Sequence, residues 1–236
     1  MSESEVLSSP FVPAASVGDS DVSSANATPA PRKRPKPGER REQILQALAT
    51  MLEKPGAERI TTAALASHLQ VSEAALYRHF ASKAQMFEGL IDFVEQSVFT
   101  LVQQIVGRDI PAPELVGGQQ PGLDGARQAA RVIALVLQFG ERNPGMARVM
   151  VGDALVFEHE RLQQRMNQFF DRIESTLRQC LRPVADARGS AKPTVDAQVA
   201  ASVLTSFALG RLQRFSRSGF RRLPTEHLEQ SLALML

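Results

Sequence analysis

The chain is short of the residues on which small secreted and redox-active proteins depend. It has one cysteine in 236 residues, Cys180, which excludes an internal disulfide framework and a zinc site built from cysteines. It has no tryptophan and a single tyrosine, Tyr77, so aromatic rings with a polar handle for a drug-like ligand are scarce. No run of 18 apolar residues occurs, so no segment reads as a membrane-spanning helix. The start, Met1-Ser-Glu-Ser-Glu5, is acidic and lacks the basic and apolar stretches of a secretory leader, which makes a cytoplasmic location the expectation. Signs of chemistry are equally thin. His68, His79, His159 and His227 fall at no metal-ligand spacing. His159 stands between Glu158 and Glu160, but sequence neighbours point to different faces of a helix. Gly117-Gly118 lacks the preceding strand that a phosphate-binding loop requires, and no nucleophile elbow is found. The expectation is a protein with no enzymatic activity, no cofactor and no metal.

What is present is helix. Hydrophobic residues make up 43% of the chain, enough for an ordinary globular core. Residues 1–37 are rich in Ser, Ala and Pro and read as a disordered arm, ending in the basic run Arg32-Lys33-Arg34-Pro35-Lys36-Pro37. A first helix starts near Gly38, with Ile44, Leu45, Leu48, Met51 and Leu52 on one face, and Pro55-Gly56 ends it. Two short helices follow at about 62–69 and 73–79. Ser82, with Gln85 three residues on, fits a capping box and opens a long helix to about 106, where Gly107 stops it. Residues 107–122 hold four Gly and three Pro and read as a loop. Further helices are expected at about 123–141, up to 151, 154–182, from a Thr194 cap to 217, and from Pro224-Thr225 to the end, with a second loop at 183–193. Cys180 falls on the apolar stripe of its helix and reads as a small core residue. The fold class is therefore all-α, about nine helices, with no convincing strand and no repeat.

Charge is unevenly spread. Residues 1–31 hold four acids and no base, whereas residues 32–83 hold ten Lys/Arg against five Glu. A local basic stretch of this kind is the electrostatic footprint of a polyanion. Within it lies Thr61-Thr62-Ala-Ala-Leu65-Ala66-Ser-His-Leu69-Gln70-Val71-Ser72-Glu-Ala-Ala75-Leu76-Tyr77-Arg78-His79-Phe80. Two short helices joined by a turn of three or four residues make a helix-turn-helix. Leu65, Ala66, Leu69, Val71, Leu76 and Phe80 supply its apolar inner face. Thr61 or Thr62 caps the first helix and Ser72 the second. A capped N-terminus leaves N–H groups and a positive dipole end facing outward, where a phosphate can sit. The second helix is expected in the major groove, showing Glu73, Ala74, Tyr77, Arg78 and His79. Thr62, Ser72, Tyr77 and Lys83 are assigned to phosphates, which position a protein without reading sequence. Arg40, Thr61 and Ala75 complete the DNA-facing set.

This stretch resembles the TetR family, whose pattern is a Thr-led helix, Leu-Ala, a turn ending Val-Ser, Leu-Tyr-x-His-Phe and Ser-Lys. All stand here, as Thr62, Leu65-Ala66, Val71-Ser72, Leu76-Tyr77-Arg78-His79-Phe80 and Ser82-Lys83. Gln70 departs from it, at a turn position that is usually Gly and often has positive φ, a conformation costing a non-Gly residue roughly 1 kcal/mol. Arg40-Arg41-Glu-Gln-Ile-Leu, Phe139-Gly-Glu-Arg-Asn-Pro-Gly145 and Leu155-Val-Phe-Glu-His-Glu are similar to the branch of that family that acts in nucleoid occlusion. The long arm and the loop at 107–122 depart from it.

That resemblance implies residues 38–83 as the DNA-binding domain and about 84–236 as a dimerisation and partner-binding body. It implies binding to palindromic sites in double-stranded DNA, association with the nucleoid, and inhibition of the tubulin-like division protein FtsZ. The implied partner groove lies between the long helix and the next, with Phe93, Leu135, Arg142 and Asn143 as candidates. Leu101, near this surface, is apolar where the family carries a base. A homodimer is expected through the last two helices, with Val199, Val203, Phe207 and Gly210 beside Leu228, Leu232 and Met235. Paired dimers along DNA are a further expectation, one that no residue marks. The alternative function is a repressor controlled by a small-molecule effector, for which Phe99, Phe139, Phe157, Phe169 and Phe170 could line a pocket; they fit core stripes better.

Overall fold

The computed structural model describes residues 38–54, 59–107 and 121–236. The expectations for the arm at 1–37, the Pro55-Gly56 stop and the loop between 108 and 120 lie outside the described residues. Nine α-helices are present among them, with no strand: α1 (Glu39–Leu52), α2 (Thr62–His68), α3 (Glu73–Tyr77), α4 (Lys83–Gly107), α5 (Pro121–Arg142), α6 (Pro144–Met150), α7 (Glu160–Ala187), α8 (Pro193–Arg217) and α9 (Leu228–Met235). One 3-10 turn, Asp153–Leu155, joins α6 to the approach of α7. No helix of the described residues is long and apolar enough to cross a membrane.

The amphipathic stripes decide the packing. In α4, Phe87, Leu90, Ile91, Val94, Val98 and Val102 are buried, and in α7, Leu162, Met166, Phe169, Ile173, Leu177 and Cys180. These faces meet α5 and α8, and the most extensive helix pairs are α7 with α8 and α7 with α5. Burial pushes the Cys180 thiol above its ordinary pKa, so it stays protonated and packs as a small apolar group. Close approach of α5 to α7 depends on Gly125, where a Cβ would stand 2.2 Å from the Cys180 carbonyl oxygen.

Several helix ends differ from expectation. The turn at Asp153–Leu155 and an irregular stretch precede α7, so the helix expected from 154 starts at Glu160. It then runs through Pro183 to Ala187, although an interior proline removes a backbone donor. Val184 and Ala185 extend the buried stripe and keep the extra turn against α5. It ends where Gly189 turns to φ 73, its N–H and that of Ser190 returning to the Asp186 and Ala185 carbonyls in a Schellman arrangement. At α8 the N-cap is Lys192 and Pro193 is the first helical residue, a position that suits proline; Thr194 is not the cap. Thr225 does not open α9. Its hydroxyl is bonded to the Glu141 carboxylate on α5, which pins the turn and delays α9 to Leu228. In α9, Leu228 and Leu232 face the core of their own chain, while Leu234 is 89% exposed. The exposed apolar face of α8 carries Val195, Val199, Val203 and Leu209. Leu228 and Leu232, expected at a contact with a second copy, are thus part of the chain's own core.

Of the five phenylalanines considered for an effector pocket, Phe139, Phe169 and Phe170 are buried. Phe99 stands edge-on to Phe169 at 5.3 Å and Phe169 to Phe170 at 5.1 Å, a close ring chain at the core. Phe157 is 64% exposed and takes no part in it.

Candidate nucleic-acid interface

The helix-turn-helix is built by caps and one small core. Leu65, Ala66, Leu76 and Phe80 are buried, and Leu69 and Val71 are half-buried. The Thr61 hydroxyl oxygen accepts from the Ala64 N–H at 3.1 Å, and that of Ser72 from the Ala75 N–H at 3.3 Å. Thr61 is therefore the cap of α2, and Thr62 the first helical residue. Between the helices Gln70 adopts φ 54. Its N–H returns to the Ser67 carbonyl and the Val71 N–H to that of Ala66. This is a Schellman turn with glutamine in the left-handed position where glycine is usual.

α3 is shorter than the expected 73–79. It ends at Tyr77, with Arg78 as its C-cap and His79 in the following turn. Glu73, Ala74, Tyr77, Arg78 and His79 are all exposed, with Ala75 half-buried, so the candidate reading face is displayed together. Thr62 is half-buried, and its hydroxyl donates to the Glu73 carboxylate at 2.6 Å. That bond ties the N-terminal ends of the two helices and places an anion beside the Ser72 cap, where it complements the dipole of α3. Arg40 is half-buried and donates to Gln43 one turn along α1 at 2.8 Å. Lys83, expected at a phosphate, instead forms an ion pair with Glu158, the two side chains being 26% and 9% exposed. The shielded acid draws the lysine towards the body, so Lys83 joins two parts of the molecule rather than facing outward.

Three residues here have structural roles that the sequence pattern does not show. Arg41 lies over the Phe80 ring at 4.2 Å and donates to the His79 carbonyl at 3.2 Å, so it holds the C-terminal end of the recognition turn against α1. Gly145 lets α6 touch α1: a Cβ there would stand 2.3 Å from the Ala49 carbonyl oxygen. Arg148, buried, donates to the Lys54 carbonyl beyond α1 at 3.1 Å. Gly145 and Arg148 therefore fix the orientation of the helix-turn-helix on the body. In the sequence, Gly145 stands in a stretch that carries the family resemblance and Asn143 among the partner candidates, neither of which reveals the packing role.

The candidates for a protein partner cluster around Phe139. The Phe93 ring is half-buried, 6.1 Å from that of Phe139, and the Asn143 amide donates to the Phe139 carbonyl at 2.9 Å. Arg142 ends α5 and is exposed. Leu135 lies deeper. At 4% exposure it belongs to the core, which leaves Phe93, Arg142 and Asn143 as the candidates nearer the surface. Leu101 is half-buried against the same core. α4 is latched to α7 alongside, where Arg165 bridges Asp92 at 2.9 Å and Glu95 at 2.6 Å.

Comparison with known proteins agrees with this geometry in both halves. Residues 44–90 match the model of bacterial regulatory proteins of the tetR family, and residues 126–236 match the SlmA-like model of the tetracyclin repressor-like C-terminal domain. The chain is 48% identical over 196 residues to the nucleoid occlusion factor SlmA of Idiomarina loihiensis, covering 83% of this chain and 93% of that protein. It is 47% identical over 201 residues to the nucleoid occlusion factor SlmA of Vibrio vulnificus, covering 85% and 95%. Among solved structures, the TetR family transcriptional regulator PfmR of Thermus thermophilus shares the fold, with a TM-score of 0.60, 21% identity and coverage of 82% and 97%. The chain belongs to the SlmA nucleoid occlusion factors, a branch of the TetR family of DNA-binding regulators.

Proposed function

We propose that this protein binds palindromic DNA sites on the chromosome as a homodimer and, so bound, inhibits assembly of the FtsZ division ring over the nucleoid. The observation that carries the reading is that identity to nucleoid occlusion factors spans the body as well as the DNA-binding motif. A repressor that shared only DNA binding would match in the first half alone. Residues 38–83 form the DNA-binding domain and 84–236 the dimerisation and partner-binding body. Thr61, Ser72 and Tyr77 contact or present N–H groups to phosphates, and Ala74, Arg78 and His79 face the bases. The exposed valines of α8, Val195, Val199 and Val203, support a two-fold contact, which sets two recognition helices about one turn of DNA apart.

Phe93, Arg142 and Asn143 form the surface for FtsZ. An aromatic ring flanked by an arginine is the kind of anchor that holds a short protein tail. The test is division-ring imaging in cells whose chromosome segregation is blocked. The wild-type protein keeps rings off the nucleoid, and Arg142→Asp lets them form there while operator binding is retained. Exclusion of rings by Arg142→Asp as complete as by wild type would refute this surface.

The basic arm at 32–37 adds affinity with little specificity. Deleting residues 1–37 flattens the salt dependence of DNA binding, because each phosphate neutralised contributes about −0.9 to the slope on duplex DNA. An unchanged slope refutes that role.

A further inference from the structure

The corner between α8 and α9 gathers more positive than negative charge among the described residues. A pocket of about 420 Å³ opens there, lined by Arg211, Arg214, Arg221, Arg222, Leu223 and Glu226. Four guanidinium groups thus face one carboxylate. Among the described residues none of the four arginines forms an ion pair, and Glu226 lies 3.9 Å from His227. Two of the four are held by neutral groups. Arg211 donates to the Glu226 carbonyl at 2.9 Å and to the Ser231 hydroxyl at 3.0 Å. Arg221 donates through Nε to the Ser218 carbonyl at 3.0 Å. The backbone beneath is also fixed: the Ser218 hydroxyl accepts from the Arg221 and Arg222 N–H groups. Gly219 and Phe220 adopt φ 62 and 64, closing α8 with a bond from the Phe220 N–H to the Phe215 carbonyl. Phe220 in turn packs under the buried Arg148 guanidinium at 5.0 Å.

Neutral acceptors orient a guanidinium without cancelling its charge. Several like charges in one concavity repel each other, and that repulsion is relieved when an anion enters. The planar fork of arginine matches the paired oxygens of phosphate, and preorganised donors lose less entropy on binding. The volume lies in the range of small-ligand pockets, about 300–1,000 Å³. We propose that this pocket binds a phosphate-bearing anion, on residues other than those of the recognition helix and of the Phe93–Arg142–Asn143 surface. The phosphates come from a free polyphosphate-type ligand or from the DNA backbone, and one experiment separates the two.

The full chain is titrated calorimetrically with inorganic tripolyphosphate at constant ionic strength, and its operator affinity is measured against salt concentration. The wild type gives a saturable isotherm near one site per chain, and Arg214→Gln with Arg222→Gln weakens it at least tenfold. Arg127→Gln, a surface arginine on α5 away from this corner, leaves it unchanged. Glu226→Gln removes the one acid and tightens binding severalfold, a gain that a folding defect cannot imitate. If the double variant loses tripolyphosphate binding and keeps its operator salt slope, the ligand is a free anion. A shallower slope as well assigns the phosphates to DNA. Absence of saturable binding to the wild type, or equal binding by the double variant, overturns the proposal.

Discussion

The two halves of the molecule are held by different means. The body is stabilised by long apolar stripes: α4 and α7 alone bury rows of Phe, Leu, Ile and Val along 25 and 28 residues. The helix-turn-helix has α2 of seven residues and α3 of five, too short to persist by helix propensity. It depends instead on hydroxyl caps at Thr61 and Ser72, a left-handed Gln70, and the Arg41 contact with His79 and Phe80. The body draws its stability from buried area, whereas the reading head draws its shape from hydrogen bonds at helix ends. The parts that must meet DNA are those least able to bury themselves, so their order comes from local polar bonds and from the joint at Gly145 and Arg148.

That comparison can be broken from the body side with the largest effect. Phe169→Ala removes a fully buried ring and costs about 3–5 kcal/mol. It lowers the melting temperature of the whole chain, and the operator preference of the fraction still folded is unchanged; scanning calorimetry with DNA competition checks both. Next comes the joint. Gly145→Ala forces α6 away from the Ala49 carbonyl, an overpacking that costs about 1–3 kcal/mol. Because it tilts one half on the other, its operator affinity falls more than its stability does, as fluorescence anisotropy against a palindromic duplex shows. A parallel fall in affinity on isolated half-sites would contradict the joint role.

Smaller effects sharpen the picture of the reading head. Ser72→Ala removes the α3 cap and costs about 1 kcal/mol. Hydrogen exchange shows the loss confined to residues 72–80, with the amides of α7 unaffected. Smallest is Gln70→Gly, which relieves the left-handed strain and stabilises the turn by up to roughly 1 kcal/mol; thermal melting reads the gain. A Gln70→Gly variant less stable than wild type would show that the glutamine side chain does something the backbone geometry does not reveal.

The regions differ in legibility as they do in construction. The positive φ at Gln70 is readable from the family pattern, which has glycine there, and the caps at Thr61 and Ser72 are readable in the sequence, because each is a bond between residues three positions apart. The stripes of α4 and α5 are readable for the same reason, from 3.6-residue periodicity. What fails is decided at a distance. Residues from 183 read as a loop until Val184 and Ala185 are seen buried against α5. Thr225 reads as a cap until its bond to Glu141 is seen. Lys83 reads as a phosphate ligand until Glu158, 75 residues on, claims it. Leu135 is apolar whether it lines a groove or fills a core, and only the packing of α4 on α5 decides for the core. The arginines of the α8–α9 corner are spread between positions 211 and 222, so only the turn at Gly219 gathers them.

The central claim is that the two halves work together, the DNA-bound head licensing the body to act on the division machinery. The most direct test is sedimentation of purified FtsZ polymers with this protein, with and without DNA that carries its palindromic site. The account predicts loss of pelleted polymer, stronger with the specific DNA than with a scrambled duplex. Undiminished polymer under both conditions, with DNA binding intact, would contradict it and leave a DNA-binding regulator with no action on FtsZ assembly.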